Sequence, residues 1–222
     1  MCGRFNLKTP AKEIAKILGF TTKISARPRY NIAPSQDILA ARYDDEGKGE
    51  IVALKWGLVP SWVKDLKKAH KPINAKVETV AESPYFRVAI KKRRCLIPAN
   101  GFYEWQPRGK VKQPYLIHRL DDAVFFFAGL WETWTSNDGE VVETTTILTT
   151  DANDLIAPLH NRMPVIMQKA SYEPWLDRSN LDPKRVLALL SLYPSKLLEV
   201  FPVSTVVNSP KNDIPECIQP LA

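Results

Sequence analysis

Cysteine and histidine are scarce in this 222-residue chain, at three of each, and the scarcity excludes several functions. Cys2, Cys95 and Cys217 form no CxxC pair and no recognisable metal-ligand spacing. Their odd number also argues against a disulfide framework. A reducing compartment is expected, with no metal and no organic cofactor. No basic-then-apolar leader opens the sequence, and no apolar run approaches the roughly 18 to 20 residues that a bilayer span requires. The expected location is cytoplasmic, without a membrane partner. Proline, at 18 residues, is spread along the chain rather than gathered. No linker, internal repeat or low-complexity stretch stands out.

What is present fits one well-packed domain, since 45% of the residues are hydrophobic. Lys and Arg number 31 against 24 Asp and Glu, a formal charge of +7, which admits an anionic partner without demanding one. A helix is predicted from Thr9 as N-cap and Pro10 at the first position, with Ile14, Ile17 and Leu18 on one face. Strand patterns occupy 37–43 and 51–56, joined by an Asp-Asp-Glu-Gly-Lys-Gly turn as a hairpin, then 94–98, 102–105, 115–119, 124–131 and 142–149. Helical patterns occupy 77–81, 86–91, 152–159, 172–176 and 184–190, the third of these capped by Asp151. Without a regular βαβ period, this order predicts one α+β domain over 1–222 with a meander-like core.

The chemically most distinctive segment is Met1-Cys2-Gly3-Arg4. Removal of the initiator methionine would leave Cys2 with an α-amine and a thiol on adjacent carbons. In free peptides these titrate near about 7.7 to 8.0 and about 8.5. Such a 1,2-aminothiol condenses with aldehydes, the amine forming a Schiff base that the thiol closes to a thiazolidine. A ring-opened abasic deoxyribose is one such aldehyde. Taken alone, Met-Cys-Gly reads first as a small residue near a frayed terminus.

Three clusters bear on that choice. Pro98-Ala-Asn-Gly-Phe-Tyr-Glu-Trp105 places Glu104 between aromatic residues on an alternating strand, either solvated or held in an enclosed site as a proton shuttle. Leu159-His-Asn-Arg-Met-Pro-Val165 sets His160 beside Arg162 where a helical pattern meets a strand. His118 reads as a surface or cross-strand residue and His70 as solvated. Pro72-Ile-Asn-Ala-Lys-Val-Glu78 puts Asn74 and Lys76 ahead of a helix start, suited to capping or to holding a phosphate or sugar oxygen. Pro34, Trp56 and Trp62 add proline and aromatic surfaces. Lys64, Lys67, Lys68 and Lys71 follow Trp62, a mixture that suits a stacked single strand tracked by charge. The basic run 91–94 reads as a solvated helix end.

Together these motifs resemble the SOS-response-associated peptidase family of abasic-site-processing proteins. The resemblance runs from Cys2-Gly-Arg4 through Tyr30-Asn-Ile-Ala-Pro34, Trp56-Gly57, Asn74-Ala-Lys-Val-Glu78, Gly101-Phe-Tyr-Glu104 and His160-Asn-Arg-Met-Pro164. It continues to Pro202-Val-Ser204, Val207-Asn208 and Asn212. It implies a pseudo-barrel core of antiparallel or mixed strands flanked by helices, and a monomer that crosslinks to abasic sites in single-stranded DNA, nucleoid-associated when bound to damaged DNA. By the same resemblance Cys2 forms the thiazolidine, Asn74 orients the ring-opened sugar, and Glu104 and His160 transfer protons in crosslink formation and reversal. Arg4, Lys76 and Arg162 would contact phosphates, and Pro34, Trp56 and Trp62 would shape the strand. Lys76 stands where the family pattern usually has Arg, which keeps the charge and loses the two-pronged fork. The peptidase label fits removal of Met1, a task that an ordinary methionine aminopeptidase also performs. Two rival expectations are an N-terminal-nucleophile amidohydrolase using Cys2 and a single-strand-binding module that forms no covalent bond.

Overall fold

The computed structural model describes residues 2–109 and 111–221, which form twelve strands and four α-helices. Met1, whose removal would expose Cys2, lies outside the described residues. In chain order the elements are β1 (Phe5–Leu7), α1 (Ala11–Leu18), β2 (Arg29–Ile32), β3 (Asp37–Tyr43), β4 (Gly49–Trp56) and β5 (Asn74–Lys76). Then come α2 (Ala89–Lys92), β6 (Arg94–Ala99), β7 (Gly101–Arg108), β8 (Val111–Arg119), β9 (Phe125–Thr135) and β10 (Val141–Asp151). The last are β11 (Arg162–Pro164), α3 (Tyr172–Leu176), α4 (Pro183–Leu187) and β12 (Leu198–Pro202).

Strands β10, β4, β3, β6 and β9 close on themselves, because β9 pairs back to β10. Closure removes the open edges that a flat sheet of this composition would expose. The barrel is mixed: β4 runs parallel to β10, with Thr144 opposite Lys55, and the remaining pairs are antiparallel. Short β5 and β11 extend the free length of β10. A second, antiparallel sheet has the order β12-β8-β7-β1-β2. The two layers meet through aromatic side chains. Phe5 sits edge-on to Trp56 at 5.3 Å and to Phe127 at 5.9 Å, and Phe102 contacts Phe127 at 6.0 Å. This is the α+β pseudo-barrel that the family resemblance implies.

The hairpin of β3 and β4 forms as expected, with Asp37 opposite Lys55 and Tyr43 opposite Gly49. Several local expectations are corrected. Thr9 does not cap α1: Pro10 occupies the N-cap position, and the Thr9 hydroxyl lies 3.1 Å from the Asn100 side-chain oxygen. That oxygen also accepts the backbone N–H groups of Lys8 and Thr9, so a distant amide outcompetes the local cap. The buried face of α1 is Ala11, Ile14 and Ala15, and Ile17 is exposed. Stretches 77–81 and 152–159 are successive turns rather than helices. In the second, the Asn153 side chain accepts from Ile156 N at 3.1 Å, and Asp151 ends β10 with its carboxylate on Arg162. Asn74 and Lys76 lie on a strand, not at a helix entrance, with Asn74 opposite Ile147. Asn100-Gly101 joins β6 to β7, and a Cβ on Gly101 would stand 2.9 Å from the Ile117 carbonyl.

Trp56 and Trp62 part company. Trp56 is 1% exposed, with its indole N–H on the Ile73 carbonyl at 2.9 Å. It belongs to the core and not to a nucleic-acid surface. Trp62 is 57% exposed and edge-on to Tyr85 at 5.4 Å. Trp56→Ala is therefore expected to lower unfolding stability by about 3 to 5 kcal/mol, the usual cost of emptying a large core site. Trp62→Ala should stay within about 0.5 kcal/mol. Urea melts of the two variants check the contrast.

Candidate functional site

The site is built around the start of the chain. Residues 5–7 are held between β2 and β7, with Phe5 opposite both Ile32 and Phe102. This seats Cys2 inside the fold, fully buried. The Asn74 side-chain N–H donates to the Cys2 carbonyl at 2.9 Å, so β5 and the N-terminal segment are joined where chemistry is expected. The other end of that amide, Asn74 Oδ1, is buried with no hydrogen-bond partner among the described residues. A buried acceptor left open in this way is ordinarily satisfied by a ligand or water.

Alternation along β7 sends Phe102 into the main core and Tyr103 into a smaller cluster with Leu116, Val203, Val207 and Cys217. Glu104 shares the facing of Phe102 and is buried at 4% exposure. Burial raises its carboxyl above the ordinary carboxylate value. The Cys2 thiol is pushed far up by burial and, secondarily, by the nearby Glu104 charge. It is a thiol rather than a thiolate in this environment, so ring closure needs a base.

Among the cavity-lining residues Glu104 becomes such a base once it has given up its proton, and His160 stands at the same cavity as a donor. The histidine closes the 154–160 turns, with its N–H on the Ile156 carbonyl, and its Nδ1 accepts the Arg162 backbone N–H at 2.9 Å. A neutral imidazole held this way carries its proton on Nε2. Burial lowers its pKa from 6.5, which favours the neutral form near pH 7. Arg4, Glu104, Trp105, Lys112, His160 and Asn208 line one open cavity of about 420 Å³. Arg4, Glu104 and His160 thus share one cavity, and Cys2, which does not line it, is linked to it through the nearby Glu104 charge and to β5 through Asn74.

The cationic residues differ in availability. Lys76 is exposed, and alternation on β5 gives it the same facing as Asn74. Arg4 is half-buried: one terminal nitrogen donates to Asn31 Oδ1 at 2.8 Å and to the Val207 carbonyl at 2.9 Å, and the guanidinium lies 5.6 Å from the Trp105 ring centre. Arg162 is 9% exposed and already engaged. Its two terminal nitrogens donate to Glu78 at 2.8 and 2.9 Å, to Asp151 at 2.7 Å and to the Thr149 carbonyl at 2.7 Å. It braces β10 and β11, and the backbone N–H beside it orients His160. Pro34 is half-buried at the end of β2, just before Ser35 with φ 70°. Neither Pro34 nor Trp62 lines the cavity.

Sequence reasoning passed over Trp105, Lys112 and Asn208 as site residues. Trp105 directly follows Glu104, and its indole N–H donates to Asn208 Oδ1 at 2.7 Å, a pairing across 103 positions that no local pattern shows. Lys112 arrives from β8 through the hairpin register and carries no motif of its own. Among the described residues, no three His, Cys, Asp or Glu side chains are grouped to hold a metal ion, and no helix is long and apolar enough to cross a membrane.

Comparison with known proteins identifies the family. The sequence profile of the SOS response associated peptidase (SRAP) family matches residues 1–210. The abasic site processing protein YoqW of Bacillus subtilis is 41% identical over 99% of each chain. The abasic site processing protein HMCES of Gallus gallus is 34% identical over 88% of this chain and 67% of its own. A solved structure from Bacteroides thetaiotaomicron superposes with a TM-score of 0.90 at 28% identity and covers both chains fully. With a buried Cys2 tied to Asn74 and a profile match running nearly end to end, the chain belongs to the SOS response associated peptidase family.

Proposed function

We propose that this protein captures abasic sites in single-stranded DNA by a covalent bond from Cys2, once Met1 has been removed. The observation that carries the reading is the seating of Cys2: fully buried, its carbonyl on Asn74 and its thiol near Glu104, which lines a cavity together with His160. Relatives named as abasic site processing proteins support it. The net charge of +7 supports an anionic partner.

In this mechanism the neutral Cys2 α-amine adds to the C1′ aldehyde of the ring-opened sugar and gives a carbinolamine. Glu104, kept protonated to a higher pH by burial, donates to the departing hydroxyl, and water leaves as the imine forms. The thiol then adds to the imine carbon. Its proton passes to the Glu104 carboxylate left by the preceding step and on to the nitrogen, with the His160 Nε2–H as a hydrogen-bond donor at the cavity wall, and the C–S bond closes the thiazolidine. Aldehyde and aminothiol give ring and one water, with no redox change. Reversal runs the same steps backward with Glu104 as proton carrier. Asn74 Oδ1 accepts a sugar hydroxyl and holds the open-chain form. Lys76, Lys112 and the outward part of Arg4 meet phosphates, while Trp62 with Lys64, Lys67, Lys68 and Lys71 stacks and tracks the strand. Arg162 acts in this scheme by positioning His160. Excision of Met1, by this chain or by an aminopeptidase, precedes all of it.

The deciding experiment mixes the protein with a single strand carrying one abasic site and resolves products by denaturing gel and intact mass. An adduct is expected that is lost in Cys2→Ala and absent with undamaged strand. Cys2→Ser should give at most a reversible imine, and a stable Cys2→Ser adduct without reductant overturns the scheme. Lack of any adduct with Met1 shown by mass to be removed favours the amidohydrolase or simple binding instead. Glu104→Gln is expected to slow crosslink release by about a hundredfold or more, in the range of lost general acid catalysis, and unchanged release kinetics reject its role. Protonation of His160 would break the hydrogen bond that its Nδ1 accepts from Arg162, and its folded pKa lies below 6.5, so an acid limb of the crosslinking rate should lie below that pH and disappear in His160→Ala. A limb that persists in the variant assigns the titration to another group.

A further inference from the structure

Behind the cavity, a fully buried asparagine ties three distant parts of the chain together. Asn31, on β2, is 0% exposed and cannot touch a nucleic acid. Its Oδ1 accepts from the Arg4 guanidinium at 2.8 Å. Its side-chain N–H group faces the carbonyls of Val207, Ser209 and Asn212 at 3.1, 3.0 and 2.8 Å. The same Val207 carbonyl accepts from the same Arg4 nitrogen that Asn31 holds. The Asp213 carboxylate returns the attachment, accepting the backbone N–H groups of Tyr30 and Asn31 and the Arg29 side chain. Asn208 in the same segment receives the Trp105 indole N–H. Residues 205–213 therefore form a strap bound to β2 on one side and to two cavity-lining side chains on the other.

We infer that Asn31 and this C-terminal strap are the positioning elements that fix the orientation of Arg4 for the phosphate backbone of a bound single strand; the inference rests on the strand-binding reading above. One nitrogen of Arg4 is pinned inward by two acceptors that are themselves cross-tied. A flexible side chain thereby becomes a preorganised donor whose remaining N–H groups are directed by the strap. The inward acceptors are neutral, an amide and a carbonyl, so the positive charge is left uncompensated for an anion. An Asp at position 31 would spend that charge internally. This contrasts with Arg162, whose partners Glu78 and Asp151 are carboxylates and whose charge is neutralised in place.

The test is a double-mutant cycle on non-covalent affinity, read by fluorescence anisotropy with the full chain and a labelled single strand containing a tetrahydrofuran abasic analogue, which has no aldehyde. Dissociation constants are measured across a salt series after circular dichroism has set the folded fraction. Arg4→Ala and Asn31→Ala are each expected to weaken binding about tenfold, a size common for coupled neighbours. Each should reduce the slope of log affinity on log salt by about 0.7, the value for one single-strand phosphate. The double variant should be no weaker than Arg4→Ala alone. Losses that multiply to about a hundredfold in the double variant overturn the inference, because Asn31 would then act independently of Arg4. Arg4→Ala binding as tightly as the parent also overturns it, while crosslinking by Cys2, assayed separately, would still stand. If Asn31→Ala does not fold, Asn31→Asp replaces it in the cycle. It keeps the acceptor facing Arg4, cannot donate to the strap carbonyls, and is held to the same non-additivity.

Discussion

Everything chemical in this molecule depends on one packing constraint, the seating of Phe5 between the two sheets. Its ring meets Trp56 and Phe127 from the barrel, while its backbone pairs with β2 and β7 of the other layer. Apolar burial of a ring is worth roughly 1.5 to 3 kcal/mol and has no direction of its own. Strand pairing on both sides supplies the direction, so a force that only condenses becomes one that orients. Cys2 lies three residues ahead of this anchor, and the Asn74 contact to its carbonyl removes most of the slack that remains. A chain terminus is normally the least ordered part of a protein; here it is enclosed because the residue that follows it is a core residue.

The strong long-period signals of the sequence were legible and the pairwise ones were not. Strands β3, β4, β6, β9 and β10 carry enough alternating or continuous apolar residues to be read directly, and they are the strands that close the barrel. Three-residue β1 and β5 have too few positions to show a period, and they exist because β2, β7 and β10 supply partners. The turns at 152–159 mimic a helix because Asn153 and Ile156 hold spacings that serve either structure. At the site, Cys2, Asn74, Glu104 and His160 were visible as unusual residues in order along the chain. Trp56 was misplaced because an aromatic beside a Gly-Leu-Val-Pro loop looks the same whether it faces a ligand or Phe5. Asn31 carries no local signal within the Tyr30–Pro34 motif, since its bonds reach residues about 180 positions away.

Burial and charge are distributed in a consistent way across the fold. Where reactivity is expected, the groups are driven toward neutrality: the Glu104 carboxyl upward, the His160 imidazole downward and the Cys2 thiol upward, each first by desolvation. Two arginines of the scaffold, by contrast, are held by several partners each. Arg94 donates to the carbonyls of Ile90, Lys91, Trp175 and Asp177 and so locks the ends of α2 and α3 together. Arg42 does the same for β3, β4 and β10 through Glu50 and Glu143, with its plane 4.1 Å from the Trp131 ring. The scaffold is braced by satisfied ions, and the cavity is lined by groups held near the point of exchanging a proton.

The contact between Arg4 and the Val207 carbonyl spans 203 positions, and this has a consequence for biosynthesis. During translation, the N-terminal segment is released from the ribosome long before the strap that orients it has been made. Its long-range partners cannot form until synthesis is almost finished, and pairings of such sequence separation are slow to close. A nascent or truncated chain that lacks residues 205–213 therefore carries Arg4 without the Val207 carbonyl and the strap-held Asn31 that orient it.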